Sequence, residues 1–256
     1  MPRSGIEEII VIAQDTTKYG IDLYGETKLV ELLREISKIQ GIKWIRFLYA
    51  YPESITDELI QEVKSNPKIC SYFDIPIQHI SDNILKKMNR KSSGASIRSL
   101  LKKFRQEIPD VILRTSLIVG FPGETEENFE ELYNFVKEVK FDKLGVFQYS
   151  KEEGTAAAIM KEQIHGATKK RRWNKIMQLQ QEISNQKMQE KIDKVYEILI
   201  EGKTADGNYY FGRSYMDVPD MDGLVYCKIK EKHELGEFIK CKIVKVADYD
   251  LIGEEI

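Results

Sequence analysis

Apolar and polar positions follow two rhythms along this chain, and the rhythm changes near residue 190. Residues 8–13 are a short apolar run rich in β-branched side chains, as a strand buried on both faces would be. Residues 27–40 place Leu29, Leu32, Leu33 and Ile36 at helical spacing, and Gly41 stands where a C-cap would. The alternation then repeats. Strands are predicted over 43–49, 72–78, 111–119 and 143–149. Helices are predicted over 56–65, over 82–89 and 96–107 on either side of Ser92-Ser93-Gly94, and over 125–140. In the last of these Thr125 is the N-cap, and Glu126 and Glu127 lie in the first turn, where the helix dipole favours acids. Strand–helix units joined by short loops imply parallel strands with right-handed crossovers. The fold is then an α/β barrel or a doubly wound sheet, which periodicity does not separate. In both, ligands sit in the loops after the carboxyl ends of the strands.

Residues 167–189 read as one long helix with Lys169, Lys170, Arg171, Arg172 and Lys175 in its first turns, a cluster that opposes the helix dipole. It is either a solvated face or a contact for an anion. Beyond it, short β runs at 195–201, 209–215, 223–230, 237–246 and 251–256, with the turn pair Asp206-Gly207, predict a small five-stranded antiparallel barrel. The expected division is an α/β part over 1–166, a basic linker helix over 167–189 and a small β-barrel over 190–256.

Composition changes this picture in two places. The 256 residues are 42% hydrophobic and 31% charged, a folded composition with a net charge of −2. That near-neutral total conceals a split, because residues 190–256 carry ten Lys and Arg against fifteen Asp and Glu. An acidic barrel suits a basic protein partner better than RNA, and Asp217, Asp220 and Asp222 in one loop are the expected contact. Cys70, Cys227 and Cys241 are few and far apart, which fits a reducing cytoplasm and argues against a disulfide framework and against a metal site within this chain. No apolar run approaches the ~20 residues of a membrane span, so no membrane partner is expected.

Polar and glycine-rich residues gather after the predicted strands: Gln14-Asp15-Thr16-Thr17, Tyr49-Ala50-Tyr51-Pro52, Gln78-His79-Ile80-Ser81, Gly120-Phe121-Pro122-Gly123-Glu124-Thr125 and Gln148-Tyr149-Ser150. Taken singly each is a turn-forming loop. In the fourth, two glycines let backbone approach a ligand and Pro122 stiffens the turn. Arg46 and Arg114 lie within strands, where a buried guanidinium needs a carboxylate from the protein or from a ligand. His79 is a candidate for proton handling, although a lone loop histidine more often serves a hydrogen bond. Tyr19, Tyr49 and Tyr51 are placed either to line the mouth of a site or to pack.

The string Arg114-Thr115-Ser116-Leu117-Ile118-Val119-Gly120-Phe121-Pro122-Gly123-Glu124-Thr125 resembles the GFPGET segment of the radical S-adenosylmethionine methylthiotransferases. Residues 12–24, Asp74-Ile75-Pro76-Ile77-Gln78-His79-Ile80-Ser81-Asp82, Leu85-Lys86-Lys87-Met88-Asn89-Arg90 and Gly212-Arg213-Ser214-Tyr215 are similar to the RimO-type branch, and the last belongs to a TRAM-like barrel. The tRNA-modifying branch usually has Gln-Ser-Gly-Ser at residues 78–81. The resemblance implies an open, TIM-like (β/α) barrel missing its first βα unit, followed by the TRAM-like barrel. It implies a transferase that adds a methylthio group to the β-carbon of an aspartate in the twelfth small-subunit ribosomal protein. S-adenosylmethionine and two 4Fe–4S clusters are the implied cofactors of the intact enzyme. The family's cluster cysteines, a CxxxCxxC loop and three more in a preceding domain, have no counterpart here, so this stretch alone is expected to be inactive. Gln14, Asp15, Gln78, Ser116, Gly120, Phe121, Pro122 and Gly123 are the implied cofactor-side residues, with Tyr19, Arg46, Arg114, Asp217, Asp220 and Asp222 on the substrate side. Two other readings stand: a fragment of a tRNA (adenosine) methylthiotransferase, for which the basic helix is the only support, and a non-catalytic partner-binding module.

Overall fold

A computed structural model describes residues 5–256. The first part runs β1 (Glu8–Val11), α1 (Ile21–Tyr24), α2 (Leu29–Ser37), β2 (Trp44–Phe47), α3 (Asp57–Ser65), β3 (Tyr72–Gln78), α4 (Asp82–Lys87), α5 (Gly94–Glu107), β4 (Ile112–Val119), α6 (Glu126–Val139) and β5 (Lys143–Gln148). The helices start where the sequence supplies caps. Thr56 accepts from the Leu59 N–H, and Ser93 and Thr125 form reciprocal capping boxes with Ser96 and Asn128. All five strands are parallel to their neighbours, in two pieces, β1-β2 and β3-β4-β5, with a parallel bridge from Ile45 to Ile69 beside β3. β1 is shorter and less buried than its apolar run suggests: it covers four residues, all half-buried, pairs only with β2 and is followed by an exposed Ile12.

The period of two along each strand assigns its faces. Ile45, Phe47, Phe73, Ile75, Leu113 and Leu117 point outward and pack beneath the helices with Leu59, Phe104, Phe129 and Phe135. Trp44, Leu48, Tyr72 and Ile112 point the other way, into a second core shared with the small barrel. The link is α7 (Gly166–Gln189), and the small barrel is β6 (Val195–Lys203), β7 (Tyr209–Arg213), β8 (Val225–Lys228), β9 (Phe238–Ala247) and β10 (Asp250–Glu255). It closes in the order β10-β8-β7-β6-β9. The expected all-antiparallel arrangement is corrected at one seam, because β10 leaves β9 by a tight turn and closes the barrel alongside β8 in parallel.

A second correction concerns the cysteines. Cys227 and Cys241, 14 residues apart, form a disulfide in the barrel core. They reach each other across β10 at Gly253, where a Cβ would collide with the Cys241 sulfur. Cys70 is free and buried, and burial pushes its thiol up to about 11.

The small barrel forms the floor of the α/β part, at the amino-terminal ends of its strands. Glu8, the first residue of β1, pairs with Arg46 and with Arg213 of β7, each at 2.6 Å. Arg46 also donates to the carbonyls of Tyr215 and Ser214, at 2.6 and 2.9 Å. Burial works to raise the Glu8 carboxyl, but hydrogen bonds and charge from Arg213 and Arg46 outweigh it and hold it below its ordinary value. Lys143, which starts β5, pairs with Asp217 at 2.8 Å, and the Tyr72 hydroxyl donates to Asp222 at 2.8 Å. Arg46, Asp217 and Asp222 were expected to face a substrate. They are instead committed to this internal interface, since a buried charge is tolerable only when it is paired. Asp220 alone of the three acids is exposed.

Candidate functional site

A cavity of about 600 Å³ opens at the opposite, carboxyl-terminal end of the strands. Each parallel strand or the loop after it contributes: Gln14 after β1, Tyr49 and Tyr51 after β2, Pro76 and Gln78 in β3, Ser116 and Ile118 in β4, and Phe147 in β5. Pleating explains the choice, because Arg114, Ser116 and Ile118 are the half-exposed members of β4 while their neighbours are buried under helices. Two lining residues hold left-handed backbone, Tyr49 at φ 58° and Gln78 at φ 71°. Such conformations cost about 1–3 kcal/mol each in non-glycine residues and concentrate at ligand clamps. The Tyr49 N–H is tied to Asp74 Oδ2 at 3.2 Å, and Asp74 in turn holds Arg114 at 2.6 Å. The cavity joins aromatic surface (Tyr49, Tyr51, Phe147) to amide and hydroxyl groups (Gln14, Gln78, Ser116), the mixture a ligand with a nucleoside and an amino-acid part requires.

The loop after β4 stands beside this cavity, held from behind. Glu124 is buried, and its Oε2 accepts from the Gly120 N–H and, at 3.1 Å, from the Phe121 N–H. Arg172 of α7, also buried, donates to the Glu124 carbonyl at 3.0 Å, sits 3.4 Å from its Oε1 and pairs with Glu126 at 3.1 Å. Burial pushes the Glu124 carboxyl up to about 7, against the pull of Arg172 and the two N–H groups. Lys169 donates to the Tyr149 carbonyl at 2.8 Å and its stem covers Gly120, whose φ of 72° and lack of a Cβ are both needed there. Arg171 pairs with Glu126 at 2.9 Å and Lys175 with Glu130 at 3.5 Å. Of the basic run on α7, these four side chains are thus turned onto the acidic start of α6 and the end of β5. The run is thus partly the solvated face it suggested, with Lys170, Arg171 and Lys175 exposed, and partly a charge-complementary contact between two helix starts.

The structure brings Gln14, Gln78 and Ser116 onto the cavity and leaves other expected residues off it. Asp15 caps the short turn after β1, accepting from the Thr17 N–H at 3.2 Å and pairing with Lys18 at 3.1 Å. Phe121 is buried edge-on against Tyr149, 5.2 Å between ring centres. Gly120, Pro122 and Gly123 shape the loop without lining the cavity. Tyr19 is half-buried behind the same β1 turn. His79 is fully buried, its Nδ1 accepts from the Ser81 N–H at 3.0 Å, and burial followed by the charge of Arg172 pushes it down to about 3. It is a neutral packing group, and a proton-handling part does not fit that placement. Sequence reasoning missed Phe147, Ile118, Glu124 and Arg172. Glu124 lies within the singled-out loop string, and Arg172 was hidden in a run that reads as surface charge.

S-adenosylmethionine fits the residues that line the cavity. An iron–sulfur cluster does not fit these residues: two cysteines are joined to each other, the third is buried alone, and among the described residues no group of three His, Cys, Asp or Glu side chains could hold a metal. Among the described residues no helix is long and apolar enough to cross a membrane.

Residues 1–136 match the radical SAM superfamily, and residues 192–256 match the TRAM domain. The chain is 64% identical over 255 residues to the ribosomal protein uS12 methylthiotransferase RimO of Alkaliphilus oremlandii, covering 99% of this chain and 58% of that protein. It is 54% identical over 252 residues to the protein of the same name from Acetivibrio thermocellus, covering 98% and 56%. The chain therefore spans a little over half the length of these relatives. Among solved structures, the radical S-adenosylmethionine methyltransferase TsrM of Kitasatospora setae aligns with a TM-score of 0.45 and 15% identity over 56% of this chain and 28% of that one.

Proposed function

Because this chain belongs to the radical SAM superfamily, we propose that it supplies the cofactor-binding barrel and TRAM domain of a methylthiotransferase acting on an aspartate of ribosomal protein uS12. The observation that carries the reading is the cavity at the carboxyl ends of all five parallel strands, walled by the strained Tyr49 and Gln78. The reaction and substrate come from relatives that share 64% and 54% of the sequence and carry that name. A ribosomal substrate places the protein in the cytoplasm.

S-adenosylmethionine bound in the cavity supplies the adenosyl and methyl groups of the family's chemistry. This chain's own residues bind and orient it. Gln14 and Gln78 offer amides, Ser116 a hydroxyl, and Tyr49, Tyr51 and Phe147 ring faces. Glu124 holds the Gly120–Gly123 loop in one conformation beside them. Cluster thiolates would have to come from outside this stretch, so these residues alone are inactive in the transfer.

A tRNA substrate has less support in the basic helix, where Arg171, Arg172 and Lys175 pair with Glu124, Glu126 and Glu130. Two titrations test the proposal. Calorimetry with S-adenosylhomocysteine is expected to show one site that Ser116→Phe removes, and binding unaffected by that substitution would reject the cavity. Parallel titrations with purified uS12 and bulk tRNA at 150 mM salt (about an 8 Å screening length) are expected to favour uS12. Tighter binding of tRNA would reject the substrate.

A further inference from the structure

A second cavity, of about 450 Å³, lies at the other end of the strands, between the starts of β4 and β5, the middle of α7 and the small barrel. Its size is in the range of small-molecule sites, and it shares no residue with the cofactor cavity. Met177, Met188, Met216 and Met221 line it, four of the seven methionines in the chain. Unbranched thioether side chains reshape easily around an apolar guest, and their concentration in one place is the mark of an adaptable binding surface.

The charges on its wall are unequally used. Asp142 is taken by Arg105 at 2.6 Å, by the Leu113 N–H at 2.9 Å and by Lys187 at 2.9 Å. Asp217 is held by Lys143 and by the Ser214 hydroxyl, and Asp222 by Tyr72 and the Val218 N–H. Asp250 accepts from the Leu224 N–H at 2.8 Å. Asp142 and Asp217 are thus paired with cations, and Asp222 and Asp250 are each held through one oxygen by neutral donors. Lys191, by contrast, has no hydrogen-bond or ion-pair partner for its amine among the described residues, and Arg114 uses only Nη1, on Asp74. Burial pushes the Lys191 amine below its ordinary value, only partly offset by the charge of Asp142, which is already engaged by Arg105 and Lys187.

We propose that this interdomain cavity is a binding site for a small molecule with an apolar body and one anionic group, the body lodged among the four methionines and the anion on Lys191, with Arg114 as the next free donor. Because one wall belongs to the α/β part and the other to the small barrel, an occupant tightens the seam between them.

Two fluorescent probes that share a ring system separate the two halves of this claim. They are 8-anilinonaphthalene-1-sulfonate, which is anionic, and neutral N-phenyl-1-naphthylamine, each titrated into the full chain. One saturable site is expected, with the sulfonate about tenfold tighter, the size of a single charge-assisted contact. Lys191→Met should abolish that preference and leave the neutral probe unchanged. Ser184→Trp, which fills the cavity, should remove both probes, whereas Ser116→Phe in the cofactor cavity should remove neither; circular dichroism checks that each variant is folded. Absence of a saturable site, a sulfonate preference that survives Lys191→Met, or sensitivity to Ser116→Phe would each overturn the proposal.

Discussion

Glu124→Gln isolates one buried carboxyl and gives a result whose sign is fixed in advance. In the folded chain the Glu124 carboxyl titrates at about 7 against an ordinary 4.5, so folding favours its protonated form. That contribution is fully present below pH 4.5 and is lost as pH rises to about 7. The gap corresponds to about 3 kcal/mol at 1.36 kcal/mol per pH unit. For a chain of this size that is roughly 6–12 °C of melting temperature. Glutamine keeps a neutral oxygen for the Gly120 and Phe121 N–H groups and does not titrate. Thermal melts of both proteins from pH 5 to pH 8.5 should therefore show a falling curve for the native chain and a flatter one for the variant. The difference between the curves cancels the histidines and every other shared group. At pH 8 the variant should be the more stable, by up to the full amount, less whatever attraction Arg172 loses. Parallel curves would refute the reasoning. So would a variant destabilised at pH 8 by about 3–5 kcal/mol, the cost of breaking a net-favourable buried ion pair.

Three further outcomes follow from the same geometry. Glu8→Gln leaves Arg46 and Arg213 facing each other in the floor of the α/β part and should cost about 3–5 kcal/mol in urea unfolding, more than any exposed pair such as Lys38–Glu35. Gly120→Ala, which imposes a Cβ at φ 72° against the Lys169 stem, should cost about 1–3 kcal/mol in the same assay and weaken S-adenosylhomocysteine binding. Thiol titration of the unfolded, unreduced chain should count only Cys70; three thiols should appear after reduction, with a loss of about 3 kcal/mol for a loop of roughly 15 residues.

Local pattern carried most of the elements. Thr56, Ser93 and Thr125 cap helices that begin within a few residues of where periodicity puts them, and Gln14 and Gln78, placed at strand ends, share one cavity with Ser116, which the family resemblance implied. What stayed illegible depends on contacts between distant parts of the chain. Glu8 meets Arg213 across 205 residues, and nothing near either residue signals the other. Asp217 and Asp222 have the spacing of a surface loop, but β7 delivers that loop beneath β3 and β5, where Lys143 and Tyr72 await it. The basic run on α7 has the composition of a solvent face and acquires its partners only when α6 lies alongside. The Cys227–Cys241 pair exists only because a closed barrel brings β8 and β9 to either side of Gly253.

The shared core beneath the strands also bears on recombination. Trp44, Leu48 and Tyr72 share one core with Ile198, Met216 and Val218, and Glu8 and Arg46 end on Arg213 and the Ser214–Tyr215 backbone. A chimera that exchanges only residues 192–256 between distant relatives would sever these matched sets and inherit mismatched halves. The natural crossover unit is therefore discontinuous: the carboxyl-terminal barrel together with the first residues of β1, β2, β3 and β5.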